Sequence, residues 1–66
     1  MVEGWIEGAG SELYILASGN IKIELSGIKE EDRVGLTGGY SKITGIFRAY
    51  GGKNDCDLIE VEKIGN

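Results

Sequence analysis

The 66-residue chain is predicted to form a small all-β protein, a closed Greek-key barrel of five strands. Apolar and polar residues alternate along most of the chain, which is the pattern of strands with one buried face. Twelve glycines and the absence of proline allow these strands to curve without interruption. Closing the sheet leaves no unpaired edge, so a barrel is favoured over an open sheet. A chain of this length is expected to be a single domain, residues 1–66.

The first half of the chain predicts three strands. Val2 to Glu7 alternate in polarity, and the glycines of Gly8-Ala9-Gly10 then permit a sharp bend. Two alternating runs flank Gly19-Asn20, which predicts a hairpin with a two-residue type II′ turn. In this hairpin Leu13, Ile15, Ala17, Ile21, Ile23 and Leu25 are expected to face the core, and Tyr14, Leu16, Lys22 and Glu24 to face outward.

A fourth strand is predicted after the hairpin. Residues 27–32 can supply one helical turn at most. Val34 and Leu36 alternate with glycine or polar positions, so they are expected to begin this strand. The strand can run on to Tyr50, with a bend at Gly45.

A turn over residues 51–55 separates the fourth strand from the last one, which is predicted to run from Asp57 to Ile64. Apolar residues again alternate with charged ones in this strand. The side chains predicted to be buried in the finished barrel are Ile6, Ile15, Ile23, Val34, Leu36, Ile59 and Val61.

The distribution of charge is the most informative functional signal in the sequence. Residues 33–53 contain no Asp or Glu and carry +4, whereas residues 1–32 carry −5 and residues 54–66 carry −3, which sum to −4. Lys and Arg bind phosphates and aromatic faces stack on bases, so this segment is typical of a nucleic-acid-binding surface. The net negative charge argues against indiscriminate binding to duplex DNA. The cationic and aromatic residues of the segment are Arg33, Tyr40, Lys42, Phe47, Arg48, Tyr50 and Lys53.

Four stretches of the chain carry a family resemblance: Gly4 to Ile6, Leu13 to Leu25, Asp32 to Gly38 and Leu58 to Ile64. They resemble the OB-fold nucleic-acid-binding domains of replication protein A and of the anticodon-binding type, and the similarity covers nearly the whole chain. The resemblance implies an OB-like barrel with a binding groove across strands two and three. Loops between strands one and two and between strands four and five would flank that groove.

Two features depart from the family pattern. Many such domains have a helix between strands three and four, where this chain has only Ile28 to Asp32, and many have glycine at the position of Glu31. With the groove placed by the resemblance and the outward positions by the alternation, the predicted binding site consists of Tyr14, Lys22, Tyr40, Lys42, Arg48, Tyr50 and Lys53.

Three further residues have structural interpretations beside functional ones. Alternation points Trp5 outward, yet a domain with one tryptophan often uses it to complete its core, so core packing and ligand stacking both remain open. Phe47 is expected in the core. Cys56 is interpreted as a buried or inert thiol, and Asp55-Cys56-Asp57 lacks the paired Cys or His spacing of a zinc site.

The sequence predicts a binding module rather than an enzyme. It has no histidine, no nucleophile with a base near it and no phosphate-binding glycine loop leading into a helix. Neither a cofactor nor a metal is therefore expected. The predicted partner is single-stranded DNA or RNA, bound weakly. The alternative is a protein-interaction OB module that binds other subunits of a larger complex, which the overall acidity favours.

The expected location is the cytoplasm. A single cysteine cannot form an internal disulfide, whereas secreted domains this small usually depend on such bonds. No stretch approaches the roughly 20 apolar residues of a membrane span, so no membrane partner is expected.

Overall fold

The computed structural model describes residues 1–65, which form a closed barrel of five strands with one short helix. Asn66, the last residue of the predicted domain, lies outside the described residues. The predicted all-β barrel is confirmed. The elements are β1 (Val2–Ala9), β2 (Glu12–Ala17), β3 (Ile21–Ser26), α1 (Glu30–Leu36), β4 (Tyr40–Arg48) and β5 (Asp57–Ile64).

The strands follow the order β1-β2-β3-β5-β4 around the barrel, and β4 closes it against β1. All neighbouring pairs are antiparallel except β3 and β5, which are parallel. β4 pairs with two strands: its first residues pair with β1 and the rest pair with β5. The register shifts between Thr44 and Gly45, where the sequence predicted a bend. A β-carbon at Gly45 would overlap the carbonyl of Glu60, so glycine permits this close approach.

The core lies inside the barrel and is built from branched aliphatic side chains. Burial of Ile6, Ile15, Ile23 and Ile59 confirms four of the predicted core positions. Val61, a fifth, is half-buried and packs against this cluster. The complete cluster of buried side chains is Ile6, Leu13, Ile15, Ile23, Leu25, Ile43 and Ile59.

The predicted start of the fourth strand is wrong. Residues 30–36 form α1, and β4 begins only at Tyr40. Val34, predicted to be buried, is 88% exposed on the helix, whereas Leu36 is half-buried and packs against the core. The chain therefore has a helix between its third and fourth strands, where the sequence indicated one turn at most.

Local and tertiary contacts together explain this helix. Three acidic residues in its first turn interact favourably with the positive end of the helix dipole. At the other end, the Thr37 hydroxyl and backbone N–H both donate to the Arg33 carbonyl, at 2.8 and 3.1 Å. The Arg33 guanidinium donates to the Ser11 carbonyl at 2.6 Å and so ties α1 to the β1–β2 loop.

The β2–β3 connection also differs from the prediction. It is a three-residue 3₁₀ turn, Ser18–Asn20, closed by the pair Ala17 and Ile21. Gly19 has φ 79° and ψ 17°, which is the left-handed helical conformation and not that of the first central residue of a type II′ turn. Glycine adopts this conformation at little cost, so Gly19 suits the observed turn although the predicted turn type was wrong.

Two apolar side chains expected in the core lie largely exposed. Ile21 has the inward orientation of Ile23 but is 53% exposed, and Phe47, paired with the buried Ile59, is also 53% exposed. Both lie where β3 begins and β4 ends, which is the end of the barrel opposite α1. We call this the far end of the barrel. Alternation assigned the correct side of the sheet to these residues, but it carries no information on how far the core extends along the strands.

Candidate nucleic-acid interface

An exposed aromatic pair lies on the outer face of the barrel where β4 meets β1. Trp5 pairs with Tyr40 on β4 and with Leu16 on β2, so the three side chains form one row across three strands. The ring centroids of Trp5 and Tyr40 are 5.3 Å apart with an interplanar angle of 80°, a favourable edge-to-face geometry. Trp5 is 58% exposed and Tyr40 55% exposed. Two large aromatic side chains are thus in contact with each other and open to solvent.

A groove of about 340 Å³ lies beside this pair, and we call it the Trp5 groove. Its lining residues come from β1, from β2 and the turn that follows it, and from the start of β4. A β-carbon at Gly4 would overlap the Leu16 carbonyl, so the missing side chain lets β1 and β2 approach closely. The groove is lined by Glu3, Gly4, Trp5, Leu16, Ala17, Ser18 and Tyr40.

Of the seven residues predicted from the sequence, Tyr40 alone lines the Trp5 groove. Lys42 follows two positions later on β4, hence on the same face, and pairs with Glu3 of β1. Within residues 1–65, no carboxylate lies within ion-pair distance of the Lys42 ammonium. The sequence left the role of Trp5 open and the predicted site omitted it, although its outward position in the alternation was a signal for the exposed position that the structure shows.

Tyr14 lies on the outer face as predicted, but it is only 9% exposed. The Lys22 ammonium lies 4.4 Å from the centroid of the Tyr14 ring and 3.2 Å from the Glu7 carboxylate. The lysine thus makes a cation–π contact and an ion pair at once. A base can reach Tyr14 only if Lys22 moves away.

The β4–β5 loop, residues 49–56, carries the last predicted lysine. The Lys53 ammonium lies 2.9 Å from the Glu12 carboxylate, and its backbone N–H donates to the Glu24 carboxylate at 2.8 Å. The hydrogen bond to Glu12 raises the pKa of Lys53, and the same contact lowers the pKa of Glu12. Acids of β2 and β3 therefore hold this loop against the barrel.

Arg48 is neutralised in the same way. Its guanidinium donates to the Glu60 carboxylate on the neighbouring strand β5, and this hydrogen bond raises the pKa of Arg48. Lys22, Arg48 and Lys53 each have a carboxylate partner. Of the four cations in residues 33–53, Arg48 and Lys53 are therefore paired with acids in the folded chain, whereas Arg33 and Lys42 form no salt bridge within residues 1–65.

Tyr50 lies apart from Tyr40, beyond the opposite end of β4. Its side chain is 75% exposed, and its backbone N–H donates to the Asp57 carboxylate at 3.1 Å. The predicted site is consequently divided. Tyr40 and Lys42 lie beside Trp5, whereas Arg48, Tyr50 and Lys53 belong to the end of β4 and the loop after it.

A second groove, of about 470 Å³, lies between α1 and the end of β5. Its lining combines acidic and aliphatic residues and includes neither an aromatic nor a basic side chain, so it offers nothing for stacking bases or binding phosphates. Its lining residues are Glu31, Asp32, Gly35, Leu36 and Ile64.

The described part of the chain contains no group of three or more His, Cys, Asp or Glu side chains placed to hold a metal ion. Among residues 1–65 there is also no helix of the length and apolarity that would cross a membrane. The chain matches no protein-family model, no curated protein and no solved structure. Inference about function therefore depends on the geometry of the barrel surface.

Proposed function

We propose that this protein binds single-stranded nucleic acid, DNA or RNA, on the surface formed by Trp5 and Tyr40. The observation that supports it is the exposed aromatic pair, which lies beside a groove and is held by cross-strand packing. Burying a base on such a ring contributes about 1–3 kcal/mol in proteins that bind single strands. Two large aromatic rings on the surface are apolar area that a small domain does not bury in its core. A binding role explains why they are exposed.

The electrostatics favour weak binding. Lys42 supplies a cation next to the stacking pair, while three other basic side chains are already paired with acids. The net charge of −4 repels a polyanion at long range. We therefore expect affinity in the micromolar range or weaker, which increases as the salt concentration falls.

Trp5 is the single tryptophan of the chain, so its fluorescence reports directly on this surface. Titration with short single-stranded DNA and RNA at low salt is expected to change its emission. Tyr40→Leu should weaken binding by about 1–3 kcal/mol because one stacking face is lost. Tyr50→Leu removes an equally aromatic, more exposed side chain at the other end of β4 and serves as the matched control. Equal losses in the two variants would contradict the assigned surface.

Protein interaction is the second candidate. Two observations favour it: three of the seven Lys and Arg side chains are already paired with acids in the described part of the chain, and Ile21 and Phe47 leave apolar surface at the far end of the barrel. The same titration separates the candidates. If folded protein shows no spectral change at high oligonucleotide concentration and low salt, the protein-interaction role is the one to pursue.

In either role the chain acts as a binding module without a cofactor, and we place it in the cytoplasm. The supporting observation is its lone thiol, Cys56, which has no second cysteine with which to form an internal disulfide.

A further inference from the structure

The polar side chains that line the Trp5 groove are acidic or neutral, which is unusual for a nucleic-acid-binding surface. Among the side chains that line it, Glu3 is the one charged group, and no Lys or Arg lines the groove in the described part of the chain. Beyond Glu3, the polar contributions are the Ser18 and Tyr40 hydroxyls and the indole N–H of Trp5. The groove therefore offers a flat aromatic wall and a carboxylate at its edge, and it repels phosphate.

An ionised carboxylate only accepts hydrogen bonds, so its preferred partner on a base is an edge with adjacent N–H donors. The Watson–Crick edge of guanine has two, the ring N1–H and the exocyclic amino group, with the spacing of the two carboxylate oxygens. Adenine and cytosine place a ring nitrogen acceptor next to their amino group, and uracil and thymine flank one N–H with two carbonyls. Those acceptors face the carboxylate unfavourably. Single strands expose this edge for readout.

We propose that the Trp5 groove is a guanine-selective subsite for single-stranded nucleic acid. The guanine ring stacks on Trp5, and the Glu3 carboxylate accepts hydrogen bonds from N1–H and from the amino group. Lys42, the cross-strand neighbour of Glu3, meets the phosphate of the same or the adjacent nucleotide. This inference rests on the proposed function and adds a base preference to it.

The environment of Glu3 fits this role. The side chain is exposed and, within residues 1–65, forms neither a salt bridge nor a side-chain hydrogen bond. Both carboxylate oxygens are therefore available to a ligand. By contrast, the carboxylates of Glu7, Glu12 and Glu60 already pair with lysine or arginine.

The test measures Trp5 fluorescence with oligonucleotides of equal length that differ at one central base in a uridine background. Guanine at that position is expected to bind about tenfold more tightly than adenine, because hydrogen bonds to a charged group are the stronger class. Inosine retains N1–H but lacks the amino group, so its affinity should lie between the two. Equal affinity for guanine, inosine and adenine would overturn the inference while leaving the proposed function intact.

Glu3→Gln tests the carboxylate itself, because the amide keeps the shape but loses the charge and one acceptor. The guanine preference should fall to about twofold or less, while binding of the all-uridine oligonucleotide is retained or improves. Glu62→Gln, an exposed position on β5, changes the net charge equally and should leave the preference unchanged. A guanine preference that survives Glu3→Gln would show that another group reads the base. Failure of every oligonucleotide to bind wild-type protein would overturn the proposed function as well.

Discussion

The ammonium of Lys53, in the loop after β4, lies 2.9 Å from the carboxylate of Glu12 at the start of β2. This ion pair joins distant parts of the sequence. Together with the hydrogen bond from the Lys53 backbone to Glu24, it holds the β4–β5 loop against the outer face of β2 and β3. Any anionic ligand that approaches this face must compete with carboxylates that already occupy the lysine.

The ion pair predicts a specific response to acid. The contact with Lys53 lowers the pKa of Glu12 below its ordinary 4.5. The stabilisation of the folded state by this ion pair is therefore present above that pH. It is lost as the pH falls through the lowered pKa of the folded state. The raised pKa of Lys53 keeps the pair intact on the alkaline side until above 10.5.

Thermal melts of wild type and Glu12→Gln between about pH 7 and about pH 3 measure this effect. The variant should melt at a lower temperature near neutrality, and the difference should shrink in the acid range. Glu62→Gln, at an exposed position on β5 that forms no salt bridge within residues 1–65, is the control and should show no such convergence. A constant gap between wild type and Glu12→Gln across the range would show that the pair does not contribute to stability.

Ile23→Ala should destabilise the barrel by about 2–5 kcal/mol, because it removes buried methyl groups and leaves a cavity. Ile23 is almost fully buried and pairs with Ile15 across the hairpin. In a 66-residue domain without disulfides this approaches the whole free energy of unfolding. Val34→Ala on the exposed face of α1 should change stability by less than about 0.5 kcal/mol. Chemical denaturation of both variants measures the contrast, and similar midpoints would refute the assigned core.

Gly4→Ala should destabilise the protein by about 1–3 kcal/mol, because the added methyl group overlaps the Leu16 carbonyl and must push β1 from β2. The Trp5 groove would change shape at the same time. Gly35→Ala is the matched control, since its β-carbon meets only open space on α1 and alanine favours a helix by up to about 1 kcal/mol. The midpoint of chemical denaturation should therefore fall for Gly4→Ala and rise for Gly35→Ala. A harmless Gly4→Ala would mean that the strands are farther apart than described.

Lysine variants should differ in how binding of a single strand depends on salt. Lys42→Gln should reduce the slope of log K against log salt by about 0.7, the value for one phosphate contact on a single strand. Lys53→Gln should change the slope less, because its ammonium is already paired with Glu12. Titrations at several salt concentrations measure both slopes. A larger change for Lys53 would shift the phosphate path to the β4–β5 loop.

Four of the five strands could be predicted from the sequence with nearly correct bounds. In β2 and β3 the period-two alternation is produced by one buried face, so Ile15 and Ile23 reveal both the strands and their orientation. The helix α1 could not be predicted in this way. Val34 and Leu36 fit a strand as well as a helix, and a seven-residue helix is not stable by itself. It forms because Leu36 and Ile28 pack against the core.

How far the core extends toward the ends of the barrel could not be predicted from the local pattern either. Alternation assigns a side of the sheet, but the depth of the core depends on which strands extend past their neighbours. Ile21 and Phe47 are therefore exposed although their positions in the alternation are those of core residues.

The sequence by itself determined a barrel-forming alternation, a segment rich in cations and aromatic residues, and an outward position for Trp5. Only the tertiary structure decided which of these residues act together. Trp5 and Tyr40 are neighbours because β4 closes the barrel against β1, and Arg48 and Lys53 of the central segment meet acids from β5 and β2. Charge and stacking depend on distances of a few ångströms in space, and those distances are set by strand pairing between segments far apart in the chain.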